Sequence, residues 1–192
     1  MFRKCLIMIF ILVIVFVVTL SAAKKTVAVV PFLGADGIKG LLDRMGGKFY
    51  DVLKKGNFKV LKQALVKLHI EKKNLVGISI MSPKELAGIG KELGVDYLII
   101  GRLVKSIAVK KFRVAALLSG GMILYGTVVG EVKVIDVKKG TIIRNYQAEG
   151  RAKKQLLGAI QEKRYVLREA AIKAGIALGK KFVINRAIQA KN

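Results

Sequence analysis

Cysteine and histidine each occur once in these 192 residues, proline twice and tryptophan not at all. The sole cysteine, Cys5, sits in an apolar leader, so residues 24–192 contain none. That excludes a structural disulfide, a thiol nucleophile and any cysteine-ligated metal from this stretch. His69 has no second imidazole to pair with for metal binding or proton transfer. Its nearest acid, Glu71, stands two positions away, where helical side chains diverge. His69 therefore reads as a surface residue without a partner on its own helix. Acidic groups are scarce as well, 12 Asp+Glu against 36 Lys+Arg. They are scattered, mostly beside lysines, and form neither a paired-carboxylate nor a Ser-His-Asp pattern. The sequence nominates no catalytic residue, no metal site and no cofactor.

Two glycine-rich stretches are decoys. Gly34-Ala35-Asp36-Gly37-Ile38-Lys39-Gly40 follows a strand and opens a helix, yet matches neither nucleotide fingerprint, and no Ser or Thr follows Lys39 to hold magnesium. It reads as an ordinary β-α turn. Gly88, Gly90 and Gly94 fall within or just after a helix, which is the wrong context for a phosphate cradle.

The first 23 residues have the plan of an export signal. Arg3 and Lys4 precede a charge-free stretch from Cys5 to Ala23, and Ser21-Ala22-Ala23 is a small-residue cleavage site. Cleavage is expected after Ala23. That stretch nearly reaches the roughly 20 residues a spanning helix needs, and Lys24-Lys25 behind it opposes translocation, so an uncleaved anchor is the alternative. Cys5 precedes the apolar run and cannot be a lipoprotein's acylated cysteine. The expected location is the periplasm or cell envelope, with inner-membrane anchoring if the leader stays. Residues 24–192 then form one domain, because no repeat, linker or low-complexity segment interrupts them.

Pattern along that domain is α/β. Thr26 to Phe32 is a β-rich run. From Gly37, apolar residues at Leu41, Leu42, Met45, Phe49, Val52 and Leu53 keep helical spacing until Gly56-Asn57. Phe58 to Leu61 reads as a strand, and Gln63 to about Lys73 as a polar helix. Ser82-Pro83-Lys84-Glu85 is a capping box with proline at the first helical position, opening a helix that ends at Gly94. A strand begins at Tyr97, and Gly101–Gly150 is extended. Asp136 to Gly140 is a hairpin turn with Gly140 at positive φ, and Thr141 to Glu149 returns as a strand. A final helix covers about Arg164 to Lys191. In it Ala171, Gly175 and Gly179 make a ridge on which a helix can lie close to a sheet.

Charge is abundant and mostly lysine, 27 Lys to 9 Arg, with a net of +24 for the chain and +22 without the leader. Seven Lys-Lys doublets sit largely at element ends. Arginine is the residue that reads base edges, so specific nucleic-acid recognition is not expected. Non-specific affinity for anionic polymers or lipid headgroups is; otherwise the lysines are solubilising.

Val114 to Gly130 carries no charge. Its glycines disfavour a helix, and Ser119-Gly120-Gly121 reads as a hairpin tip. One face of the return arm shows Met122, Leu124, Val128, Val132 and Val134; the other shows Ile123, Tyr125 and Val129, then Glu131 and Lys133. Leu117, Leu118, Met122, Ile123, Leu124 and Tyr125 are the candidate tip for membrane contact or self-assembly. The alternative is a hairpin buried under the final helix.

Three segments carry a resemblance. Val27-Ala28-Val29-Val30-Pro31-Phe32 resembles the opening "V-A-V-x-P-F" strand of the curli-secretion channel subunit (CsgG-like) superfamily. Gly94-Val95-Asp96-Tyr97-Leu98-Ile99-Ile100-Gly101 resembles its "G-x-D-Y-h-h-x-G" segment. Val132 to Gly140 is similar to its "V-x-V-h-D-x-x-T-G" hairpin, with Lys139 in place of the Thr. Penicillin-binding-protein activators and the N-terminal domain of the Tol propeller protein share the module. The resemblance implies a periplasm-facing α/β domain that works by assembly and contact. Channel members are lipoproteins that each give two hairpins to a barrel. This chain lacks the lipobox cysteine, and Arg151–Lys163 is short and charged for a second hairpin.

The reading is a single α/β domain over residues 24–192. It has a mixed sheet, an N-terminal β-α-β part, antiparallel hairpins and a long C-terminal helix on the sheet. The expected function is non-enzymatic, in assembly or secretion through contacts with envelope proteins or copies of itself. The alternatives are an outer-membrane pore subunit and a binding module for anionic envelope polymers.

Overall fold

The computed structural model describes residues 24–34, 39–56, 58–75, 77, 78, 80–113, 121–156 and 162–189. The expected leader with its expected cleavage residue Ala23, most of the Gly34–Gly40 turn, and Leu117, Leu118, Ser119 and Gly120 lie outside them. Among the described residues nine elements follow in chain order: β1 (Lys25–Leu33), α1 (Lys39–Lys55), β2 (Phe58–Val60), α2 (Gln63–Lys72), α3 (Pro83–Glu92), β3 (Tyr97–Arg113), β4 (Gly121–Asp136), β5 (Thr141–Leu156) and α4 (Glu162–Gln189). They form one mixed five-stranded sheet in the order β2-β1-β3-β4-β5, with β1 parallel to both neighbours and β3, β4 and β5 antiparallel.

β1 is apolar at every position from Val27 to Val30 because helices cover both of its faces. Val27 and Val29 enter a layer with Leu42, Met45, Phe49 and Leu53 of α1 and Ala174, Leu178 and Phe182 of α4. Ala28 and Val30 enter the opposite layer with Val66 of α2 and Leu86 and Ile89 of α3. Asp96 locks the start of the parallel part. Its carboxylate accepts from the Thr26 amide at 2.8 Å, and its own amide donates to the Thr26 carbonyl at 2.9 Å. That double tie is a physical reason for aspartate just before β3.

Local signals are realised closely. Ser82 caps α3 by accepting from the Glu85 amide while the Glu85 carboxylate accepts from the Ser82 amide. At the β4–β5 turn Gly140 has φ +67°, and the Asp136 carbonyl and carboxylate accept from Gly140 and Lys139. Gly90 belongs to α3 for a packing reason: a Cβ there would stand 2.3 Å from Val137.

Two expectations are corrected. β5 runs on past Glu149 to Leu156, because Arg151–Leu156 pairs in register with Thr127–Met122. The small-residue ridge of the last helix does not face the sheet. Gly175 lies against the Met45 carbonyl, where a Cβ would come within 2.2 Å, and Gly179 against Val52, so the ridge receives helix α1. The sheet supplies its own glycines for close approach. Gly126 and Gly150 meet the Val166 and Ala170 carbonyls of α4. A helical period identifies a face but not the element that meets it.

Candidate functional site

β3, β4 and β5 are 17, 16 and 16 residues long, while β1 has 9 and β2 has 3. The last register partner of β1 on β3 is Arg102. Beyond it a three-stranded ribbon continues with β3 as an open edge. A register shift between Leu103 and Lys105 marks the departure point. Extra residues of this kind are common at sheet edges, and edge lysines such as Lys105, Lys110 and Lys111 discourage uncontrolled pairing.

The ribbon has two unlike faces. Leu124, Gly126, Val128, Val132 and Val134 of β4 point to the side covered by α4 and α1, and all are buried. Among the described residues no helix covers the other side between Ile123 and Lys133. There Ile107 and Val109 of β3 are 39% and 44% exposed, and Tyr125 of β4 is 37% exposed. Charged side chains flank this apolar strip, with Lys105 and Lys111 on β3 and Arg151 and Lys153 on β5. Lys111 Nζ sits 5.7 Å from the Tyr125 ring centre, and Arg151 pairs with Glu149.

At the base of the strip Glu131 is almost wholly buried, and Arg102 on the facing strand donates to one of its oxygens from Nε at 3.1 Å and Nη2 at 2.7 Å. Burial pushes the Glu131 carboxyl upward. Hydrogen bonds from Arg102 and Asn145, with the charges of Arg102 and Lys133, outweigh it and hold the group below the ordinary carboxylate value.

The structure thus divides the candidate hairpin. Tyr125 and Met122 are substantially exposed, Ile123 is half-buried, and Leu124 is fully buried beneath α4. Leu124 is therefore withdrawn from the exposed set, because alternation along β4 turns it to the helix side.

His69 finds its partner on another helix. Its Nε2 lies 3.0 Å from Glu92 Oε2 on α3, and Lys73 Nζ donates to Glu92 Oε1 at 3.0 Å. The Lys73 hydrogen bond is the largest influence on the Glu92 carboxyl and, with His69, lowers it despite partial desolvation. This bridge joins α2 to α3 across 23 residues of sequence, beyond the reach of any helical spacing rule. A cleft of about 420 Å³ also escaped the sequence. It lies at the carboxyl end of β1 between α1 and α2, lined by Phe32, Leu42, Asp43, Gly47, Gln63 and Lys67. Such crevices sit where crossover helices pass to opposite sides of a sheet, and no sequence motif marks this one.

Among the described residues no group of three or more His, Cys, Asp or Glu side chains is arranged to hold a metal ion. No helix among them is long and apolar enough to cross a membrane.

No protein-family profile matches the sequence, and no curated protein matches it. Solved structures do match. A putative neuraminyllactose-binding hemagglutinin homolog from Helicobacter pylori aligns with TM-score 0.53 at 10% identity, over 88% of this chain and 91% of that one. Lipoprotein GNA1162 from Neisseria meningitidis aligns with TM-score 0.50 at 12% identity, over 86% of this chain and 99% of that one. The likeness is one of fold. The C-terminal domain of LpoB from Salmonella enterica aligns at TM-score 0.38 and 13% identity, over 67% of this chain and 85% of that one.

Proposed function

We propose that this chain is an exported, non-enzymatic cell-envelope protein acting in assembly or secretion through contacts made by the open face of its long sheet. The observation that carries the reading is that face: an apolar strip at Ile107, Val109 and Tyr125 that, among the described residues, is left uncovered beside a core closed by four helices. Exposed strips of this kind are interaction surfaces more often than accidents. The leader pattern and the fold shared with a Neisseria lipoprotein support an envelope location. A pore subunit is less favoured, because a lipid-facing strand alternates apolar residues outward. The open face of β5 reads Gln147, Glu149, Arg151, Lys153 and Gln155.

Cell fractionation tests export: the chain should appear in the envelope fraction, and retention in the cytoplasm would overturn that half of the reading. Ile107→Asp with Val109→Asp tests the face. The double variant should melt within a few degrees of the parent, since neither side chain is buried, while losing its crosslinks to envelope partners. A variant that keeps every crosslink removes the face from the mechanism.

A further inference from the structure

Four lysines stand at one height on the long ribbon. Register places Val109, Tyr125 and Lys153 side by side across the three strands, and Lys110, Leu124 and Lys154 in the next row, with Lys111 one step beyond. Strands lie about 4.8 Å apart and residues about 3.3 Å apart along them, so the four lysines share a band about 10 Å wide and a few residues deep. Alternation puts Lys111 and Lys153 on the open face, and Lys110 and Lys154 on the side that carries α4. All four are exposed. A tyrosine stands on each side at this height. The Tyr125 ring meets Lys111 at 5.7 Å, and Tyr165 of α4 meets Lys154 at 4.6 Å. No acidic residue occurs in 103–113, 121–130 or 150–156.

We propose that this lysine–tyrosine collar seats the end of the ribbon on an anionic lipid bilayer. Cations on both sides of a sheet at one height define a plane that crosses the strands. A flat layer of headgroup phosphates meets all four at once, whereas a protein docked on the open face would reach only Lys111 and Lys153. Tyrosine belongs at such a boundary because its ring is apolar and its hydroxyl stays wet. Lysines near an anionic surface are drawn to it in a salt-sensitive manner. Met122, 38% exposed and beyond the collar, then faces the acyl boundary. The inference rests on the export reading only for where such a bilayer is met.

The chain contains no tryptophan, so Tyr125→Trp in the full-length protein makes a single reporter of this contact, whatever the leader does. In vesicles of equal parts phosphatidylglycerol and brominated phosphatidylcholine its emission should be quenched, and quenching should fall as salt is raised. Brominated vesicles without phosphatidylglycerol should quench far less, and Tyr50→Trp on α1 should not be quenched in either. Reversing Lys110, Lys111, Lys153 and Lys154 to Glu should bring quenching down to the neutral-vesicle level. The same four changed to Gln should give an intermediate loss, with thermal melts confirming that each variant is folded. Reversing Lys55, Lys62, Lys72 and Lys91 makes the same change in net charge elsewhere and should leave quenching in place. Absence of quenching on anionic vesicles, or an equal loss in the remote set, overturns the proposal. So does an emission shift that follows protein concentration without lipid, which would assign the surface to a second copy. Fractionation that finds the chain in the cytoplasm would overturn export and leave the vesicle result standing.

Discussion

Glu131 is the one buried charged side chain among the described residues, and it keeps its charge through Arg102 opposite it. Arg102→Ala should cost about 2 kcal/mol in a denaturant melt, because a carboxylate 10% exposed would lose two charge-assisted hydrogen bonds. A carboxyl held below its ordinary value binds fewer protons folded than unfolded. Its stabilisation is therefore complete above the unfolded value and is lost as pH falls through the lower, folded one. The Arg102→Ala variant should show a weaker acid-side dependence than the parent, and identical profiles would refute the assignment. Glu92 follows the same sign, but it is exposed, and exposed ion pairs contribute little to global stability. Glu92→Gln should leave the melt nearly unchanged while raising hydrogen exchange in α2, where the helix loses its tie to α3. His69→Ala should act in the same direction and more weakly, since Lys73 still holds Glu92.

Close approach between elements depends on a few hydrogen atoms in place of methyl groups. A Cβ on Gly150 would stand 2.0 Å from the Ala170 carbonyl. Gly150→Ala must push α4 off the sheet and should cost about 2 kcal/mol or more. Gly47 in α1 and Gly88 in α3 have nothing within 4 Å of that position. Alanine at either should raise stability by about 0.5–1 kcal/mol through helix propensity alone. Thermal or urea melts of the three variants separate glycines kept for packing from glycines kept for no packing reason. The contrast also shows what was legible beforehand. Ser82, Glu85, Asp136 and Gly140 act over a few residues, so their roles were plain in the sequence. The alternation from Met122 to Val134 defined two faces but could not say that α4 covers only one. The partner of Gly175 and the bridge from His69 to Glu92 are set by the crossing of distant elements, and no local spacing encodes them. The open face and its collar depend on where β1 stops relative to β3, which is again a matter of pairing.

For the molecule as a whole, the excess of cations should be felt by any polyanion. Binding to a generic sulfated polymer is expected to weaken steeply as salt rises, because many lysines act by releasing counterions. Tight binding that survives high salt would instead demand a specific site. The order of the core has a different consequence. Phe49 packs against Phe32 and Phe182 at ring separations of 5.8 and 6.5 Å, and Phe58 meets Phe182 at 5.1 Å. The layer begun by β1 and α1 is thus closed by Phe182, a residue made long after Phe49. A nascent chain that has exposed Met45, Phe49 and Leu53 has nothing to close them with until α4 emerges from the ribosome. Such a chain stays pliant until α4 is made, the state in which a polypeptide can be threaded through a narrow channel before its shape is final.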